Sequence, residues 1–245
     1  MKHPKLRDIR KLNTEEPYPL NEIPDSVIQR IGAGIVYLIA TGRKDISGSD
    51  WGEIFAESVG GKHLDSPVGI ADVVFGKMAW SLKTVKNNSP QKTQNIRLIS
   101  GRCSPDYSYG ITDPHEDIQM TGRAVLGIWN ERINIAYDSY NPVKTAVLLR
   151  SSDLQDFCLF EEESHRFPTS DYKWETNDKG SLLGKEIETG KTKFTWQPHG
   201  SQFTIHETVP KNSIKFTIKC PSILTKEDIL KHVGYDASWI NIKRG

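Results

Sequence analysis

The sequence predicts an α/β fold with a β-rich C-terminal half. Two stretches, 26–40 and 115–137, carry apolar residues at the spacing of a helix face. Short apolar runs on both sides of Gly76-Lys77 predict two strands joined by a tight turn. From residue 172 to 219 the chain alternates apolar and polar residues between turn residues, which predicts further strands.

Length and composition fit an ordinary globular domain. The chain has 245 residues, of which 36% are hydrophobic and 26% charged, and its formal net charge is +1. The total charge therefore gives no argument for binding nucleic acid. The 3 cysteines are widely spaced without a Cys-x-x-Cys pair, so neither a zinc ribbon nor a disulfide framework is predicted. No apolar leader or long apolar run is present, so we expect no signal peptide, no membrane span and a cytoplasmic location.

An irregular arm and a helix are the first predicted elements. Residues 1–24 are polar and contain several prolines, which predicts an N-terminal arm without regular structure. Ser26 is the predicted N-cap of the helix 26–40, and Gln29 would complete its capping box.

A second, shorter helix is predicted over 50–59. Asp50 and Glu53 fit a capping box at its start, and Gly60-Gly61 fits its end. The residues 62–69 are predicted as a loop that leads into the strand pair around Gly76.

The later elements alternate between helix and strand. The long helix, opened by Asp113-Pro114, is predicted as core or as a dimer interface. Thr225 and Asp228 form a capping box before a short last helix, 225–233. The predicted strands are 96–100, 145–150, 157–161, 193–196, 202–205 and 214–218.

The strand pair around Gly76 carries the most informative residues of the chain. Because side chains alternate along a strand, Ser81 and Lys83 are expected on one face of the second strand. Trp80 and Leu82 are expected on the other face, in the interior. Asp72 opens the first strand, so antiparallel pairing would place it beside Lys83. An acid and a lysine so placed can hold a divalent metal beside a phosphodiester and activate a water. The alternative is an ordinary ion pair across a hairpin.

A helix glutamate, an aspartate that opens a strand, and a strand that ends in Ser-x-Lys follow one another between residues 48 and 86. The segments are Trp51-Gly52-Glu53-Ile54-Phe55-Ala56-Glu57, Ser66-Pro67-Val68-Gly69-Ile70-Ala71-Asp72-Val73-Val74 and Ala79-Trp80-Ser81-Leu82-Lys83-Thr84. In this order they resemble the PD-(D/E)XK nuclease superfamily, and most of all its type II restriction endonucleases. The sequence departs from the pattern at Ala71, where the family has proline, and at Ser81, where it has an acid.

The resemblance implies a fold and a function for the whole chain. It implies a restriction-endonuclease-like mixed central sheet flanked by helices, in a single endonuclease domain over 1–245. Within it we assign an N-terminal arm (1–24), a catalytic core (about 25–165) and a β-rich DNA-recognition part (about 166–245). The implied activity is Mg²⁺-dependent, sequence-specific hydrolysis of double-stranded DNA, by a homodimer whose symmetry would match that of its site.

The resemblance also implies roles for particular residues. Asp72 would bind Mg²⁺ directly, and the Leu82 carbonyl would complete the shell of hard oxygen ligands. Lys83 would orient the attacking water and offset charge in the transition state. Ser81 would bind a metal-bound water. The missing acid would come from the second helix, with Glu53 favoured as the second metal ligand. Glu57 is the alternative to Glu53.

Charge segregates along the chain, and this pattern suggests where DNA would bind. Between Val73 and Pro105 there are basic residues and no acid, the segment 153–163 is acidic, and 190–226 is basic apart from Glu207. In the first basic stretch Lys86, Lys92 and Arg97 are expected to contact phosphates.

Base contacts are expected from two predicted loops. One carries Arg102, a residue type suited to guanine. The other lies between two predicted strands, and it could also be an ordinary polar turn. Its polar residues are Gln197, His199, Ser201 and Gln202.

Two other functions fit the same residues. The chain could be a repair or recombination nuclease of the same fold with little sequence preference. It could also be a non-enzymatic nucleic-acid-binding module in which Asp72 and Lys83 form a structural pair. Discrete cleavage of defined DNA would separate the first function from the second, and absence of any Mg²⁺-dependent cleavage would favour the third.

Overall fold

The computed structural model describes residues 16–243, and these form a mixed α/β fold with two sheets. The helices are α1 (Asp25–Ala40), α2 (Gly48–Val59), α3 (Pro105–Tyr109), α4 (Ile118–Ser139) and α5 (Lys226–His232). The strands are β1 (Lys62–Val68), β2 (Ala71–Phe75), β3 (Met78–Lys86), β4 (Asn95–Arg102), β5 (Val143–Arg150), β6 (Asp156–Glu163), β7 (Tyr172–Thr176), β8 (Leu182–Glu186), β9 (Thr192–Gln197), β10 (Gln202–Thr208) and β11 (Ile214–Thr217). The predictions of an α/β fold and of a β-rich C-terminal half are confirmed.

The first sheet is mixed and has the strand order β1-β2-β3-β5-β6-β11. Its β2–β3 hairpin turns at Gly76, which has a positive φ of 56° that favours glycine. Strand β3 then runs parallel to β5, with Ser81 beside Thr145. The other pairings in this sheet are antiparallel. The parallel pairing is possible because α4 crosses over between β3 and β5.

The second sheet is antiparallel and has the strand order β4-β10-β9-β8-β7. Strand β4 comes from the first half of the chain, and β11 returns from the second half to the first sheet. The predicted catalytic core and the predicted DNA-recognition part meet near residue 165. Each sheet contains strands from both sides of this boundary, so the boundary does not separate the two sheets.

Helices α1 and α2 cover one face of the first sheet. The rings of Trp51 and Phe55 on α2 meet edge to face with centroids 5.2 Å apart, and Phe55 meets Trp80 of β3 at 5.3 Å. Leu82 joins the same buried cluster. The prediction that Trp80 and Leu82 face the interior is confirmed, and alternation places their neighbours on the other face.

The other face of the first sheet is covered by β4 and α4. Ile96 and Leu98 of β4 pack on β5 and β6. Trp129 of α4 packs against Phe203 of the second sheet, with ring centroids 5.7 Å apart. The apolar stripe of α4 therefore packs in the core. Of the two roles predicted for this helix, core or dimer interface, its stripe has the first.

Several predicted boundaries are wrong for local reasons. Helix α1 begins at Asp25 with Pro24 as N-cap and no side-chain cap, so the box of Ser26 and Gln29 does not form. Helix α2 is capped reciprocally by Ser47 and Asp50, three residues before the predicted box. The box of Thr225 and Asp228 is confirmed.

Two more boundaries differ along the chain. The predicted loop 62–69 contains strand β1, whose polar sequence suits the exposed edge of the sheet. Helix α4 begins at Ile118 with Asp117 as its cap, because the chain after Asp113-Pro114 first makes a turn.

The described part of the predicted arm, 16–24, has no helix or strand, as expected. It packs nonetheless, since Tyr18 and Ile23 are buried. Residues 1–15 of the arm lie outside the described residues. Across residues 16–243, no helix combines the length and apolar character needed to cross a membrane.

Candidate active site

Asp72, Ser81 and Lys83 meet on the sheet face opposite to α2. The Ser81 hydroxyl donates to Asp72 Oδ2 over 3.4 Å and accepts from Lys83 Nζ over 2.9 Å. The Lys83 ammonium lies 4.0 Å from Asp72 Oδ2. The hairpin therefore brings together the acid and the lysine that the sequence predicted to be neighbours.

Asp72 occupies a gap in the hydrogen-bond ladder between β2 and β3. The two strands pair only over residues 73–75 and 78–80. Beyond them the Leu82 N–H donates to Asp72 Oδ2 over 2.7 Å. The N–H and C=O of one strand residue point to the same neighbouring strand. The Leu82 carbonyl therefore also points to the side of Asp72, where it accepts from Lys83 Nζ over 3.3 Å.

Lys83 is partly buried, with 20% of its side chain exposed. Burial lowers its pKa, because the charged ammonium loses solvation; Asp72 opposes this effect and the nearby charge of Arg132 adds to it. A lysine with a lowered pKa gives up a proton more readily than an exposed one.

The predicted helix glutamates do not join this cluster. Helix α2 packs on the Trp80 face of the sheet, and both Glu53 and Glu57 are exposed. Glu57 lines a surface groove with Arg30 and Tyr37 of α1, so the expectation that it completes the site is wrong. No contact places Glu53 beside Asp72, and residues 16–243 contain no group of three His, Cys, Asp or Glu able to hold a metal ion.

The remaining oxygen atoms fit a magnesium ion held by few protein ligands. Mg²⁺ keeps several waters and is often bound through one or two carboxylates together with substrate phosphate. Here the Asp72 carboxylate and the Leu82 carbonyl converge from neighbouring strands. These are hard oxygen donors, and the carboxylate uses Oδ2 for its hydrogen bonds and ion pair within the protein.

A polar row extends from the cluster across the first sheet. Ser81 lies beside Thr145 on β5, and Thr145 lies beside Glu162 on β6. Glu162 was visible in the sequence only as part of an acidic run, because its strand register depends on distant pairings. Burial and the neighbouring Glu207 raise the pKa of Glu162 to about 7 from 4.5, against the opposing effect of Lys193.

Glu162 is expected to make stability depend on pH. Its raised pKa means that the folded protein binds the proton more tightly than the unfolded chain. This stabilisation is complete below the unfolded pKa of 4.5 and is lost as the pH rises through about 7. Urea denaturation measures this effect. As the pH rises from about 5 to 8, the free energy of unfolding of Glu162→Gln should increase relative to that of the wild type, by at most about 3 kcal/mol. Glu163→Gln, at the exposed neighbour, is the control. Equal pH profiles for wild type and Glu162→Gln would contradict the expectation.

Two of the predicted phosphate-contacting residues line one cleft with Lys83. This cleft of about 350 Å³ runs between β3 and β4, and Lys86 and Arg97 lie along it. Both residues are exposed. The cleft connects the Asp72–Lys83 cluster to a basic surface.

The predicted base-contacting residues form a second group at the tip of the second sheet. Strand pairing places Gln202 between Arg102 on β4 and Gln197 on β9. The turn between β9 and β10 exposes His199 and contains Ser201 at a φ of 52°. Arg102 ends a strand, where the sequence had indicated a loop.

Backbone contacts connect this tip to the rest of the site. The Cys103 N–H donates to the Ser201 carbonyl over 2.8 Å, and Trp196 Nε1 donates to the Cys103 carbonyl over 2.8 Å. Gly101, two residues before Cys103, approaches Arg132 of α4. Sequence reasoning did not single out Arg132, since a lone arginine in an amphipathic helix carries no distinguishing signal.

Comparison with known proteins finds no matching family model, no matching curated protein and no matching solved structure.

Proposed function

We propose that this chain is a Mg²⁺-dependent, sequence-specific endonuclease of double-stranded DNA with a restriction-endonuclease-like fold. The observation that carries the proposal is the convergence of Asp72, the Leu82 carbonyl and Lys83. Leu82 and Lys83 also line the cleft that carries Lys86 and Arg97. The mixed sheet between helices α1 and α2 on one face and α4 on the other agrees with the architecture that the resemblance implies.

The residues present suit hydrolysis of a phosphodiester. Water forms a new bond to phosphorus, and the bond from phosphorus to one sugar oxygen breaks, so that this oxygen leaves as a hydroxyl. Lys83 would hydrogen-bond the incoming water and offset the negative charge that grows on the phosphate oxygens. Asp72 and the Leu82 carbonyl would hold Mg²⁺, which when bound lowers the pKa of water and polarises the phosphate.

The positions of the other predicted residues support engagement of a duplex. Lys86 and Arg97 would contact phosphates along the cleft, while Arg102 and the 197–202 turn would contact base edges.

A homodimer is part of the proposal, since both strands must be cut. The stripe of α4 is used in the core, and much of the exposed apolar surface among the described residues lies in the segment 223–242.

Two observations favour a second function, a non-enzymatic nucleic-acid-binding module. Asp72 caps the free N–H of Leu82, and no helix glutamate is beside it. A purely structural role for the Asp72–Lys83 pair would explain both facts, and the basic cleft would then serve binding alone.

Incubation of the purified protein with phage DNA tests the proposal. We expect a discrete fragment pattern with Mg²⁺ and none with EDTA, because only defined sites would be cut. A smear or structure-selective nicking would point to a nuclease without sequence preference. Intact DNA under all Mg²⁺ conditions, together with retention of DNA in a binding assay, would support the non-enzymatic module.

A further inference from the structure

Arg132 lies at the junction between the Asp72 hairpin and the second sheet. A β-carbon at Gly69, three residues before Asp72, would overlap the Arg132 carbonyl oxygen. A β-carbon at Gly101 would lie 2.5 Å from Arg132 Nη1. Both glycines also have positive φ, 65° and 111°. Any other residue at these positions would push the α4 backbone or the guanidinium away, so the chain leaves room for Arg132 in its present place.

Among residues 16–243 the guanidinium of Arg132 has no hydrogen-bond partner and no ion-pair partner, although it is only half exposed. It lies against Gly101, whose neighbour Ser100 lines one narrow cavity with Lys83. In keeping with this position, its charge lowers the pKa of Lys83 and opposes the raised pKa of Cys103. An arginine presents five donors in a planar fork that suits phosphate oxygens, and no described residue of this chain accepts from them.

The charges around Lys83 and Arg132 are distributed unevenly. Lys83 has Asp72 at 4.0 Å and lines a narrow cavity with Glu162, Glu163 and Glu207. Arg132 has no acidic partner among residues 16–243, and its charge opposes that of Lys83; like charges at close range cost free energy. A bound phosphate group would offset that cost and would supply acceptors to the guanidinium.

We infer that Arg132 and Lys83 together form a phosphate-binding site, in which Arg132 holds the DNA phosphate that is presented to Asp72. This inference rests on the proposed function. Because Gly101 adjoins Arg102, the same guanidinium would connect the bound phosphate to the base-contacting tip of the second sheet.

The test compares Arg132→Gln with Arg123→Gln. Both changes remove one arginine charge from α4, but Arg123 is exposed and lies near Asp113 and Glu116 in a separate pocket. Anisotropy titrations of a 20-base-pair duplex without metal, repeated over a series of salt concentrations, give the slope of log affinity against log salt concentration. Arg132→Gln should reduce this slope by about the amount that one phosphate contact contributes. Arg123→Gln should leave the slope unchanged. With Mg²⁺, Arg132→Gln should slow cleavage about a hundredfold, with partial rescue in Arg132→Lys.

The outcomes separate the inference from the proposed function. DNA binding that depends on Arg132 without any Mg²⁺-dependent cleavage would support the phosphate site and overturn the nuclease. Cleavage with equal rates and salt slopes in the two variants would overturn the phosphate site alone. A wild-type protein that neither binds nor cuts the duplex would overturn both. Circular dichroism melting curves matching the wild type establish that each variant is folded.

Discussion

Replacement of Lys83 by alanine is expected to reduce Mg²⁺-dependent DNA cleavage by about a hundredfold to a thousandfold, the usual effect of removing one fixed charge-stabilising donor. The ammonium is 2.9 Å from Ser81 Oγ and 3.3 Å from the Leu82 carbonyl, so it lies beside the proposed metal ligands. Single-turnover cleavage of a plasmid with saturating protein measures the effect on the chemical step, and anisotropy measures whether duplex binding remains.

Lys77→Ala is the matched control, because Lys77 lies in the turn of the same hairpin and is exposed. It loses the same charge without touching Asp72, and it should cleave at the wild-type rate. Wild-type cleavage by Lys83→Ala would show that Asp72 and Lys83 are a structural pair. Ser81 is almost fully buried beneath the lysine, so a thermal melt must first establish that Lys83→Ala is folded.

The neighbourhood of Asp72 and Lys83 could be predicted because it depends on local structure. The two residues belong to one hairpin, and the turn at Gly76 together with strand alternation fixes which side chains share a face. The helix end at Gly60 could be predicted for a similar reason, since its φ of 71° favours glycine.

The rest of the site depends on pairings between distant parts of the chain. Glu162 reaches the polar row through the β5–β6 register, and Arg132 lies against Gly101 of β4 because α4 packs between the two sheets. No local pattern specifies these registers. The position of the helix glutamates could not be predicted for the same reason, because the face of the sheet that α2 covers is decided by Trp51, Phe55 and Trp80 packing together.

A second large effect is expected on stability, at Glu161 on the Trp80 face of the sheet. Its carboxylate accepts from Trp80 Nε1 over 2.7 Å and from the Tyr18 hydroxyl over 2.9 Å, and it lies near the charge of Lys144. Burial raises the pKa of Glu161, and Lys144 and these hydrogen bonds oppose the rise. Glu161→Ala should lower the free energy of unfolding by about 2–5 kcal/mol, because it leaves Trp80 Nε1 and the Tyr18 hydroxyl buried without their acceptor. Lys144 keeps its ion pair with Glu16 over 2.8 Å.

Urea denaturation at constant pH measures the loss, with two comparisons. Glu161→Gln keeps an acceptor oxygen for Trp80 and Tyr18 and should lose clearly less than the alanine variant. Glu163→Ala, at an exposed position on the same strand, should stay within about 0.5 kcal/mol of the wild type. Equal losses for all three would contradict a specific network. Since Glu161 accepts a hydrogen bond from the N–H of Asn21, its loss should also release the segment 16–24, detected as faster amide exchange there. Trp80 directly precedes Ser81, so this network on one face of β3 holds the strand whose other face carries Ser81 and Lys83.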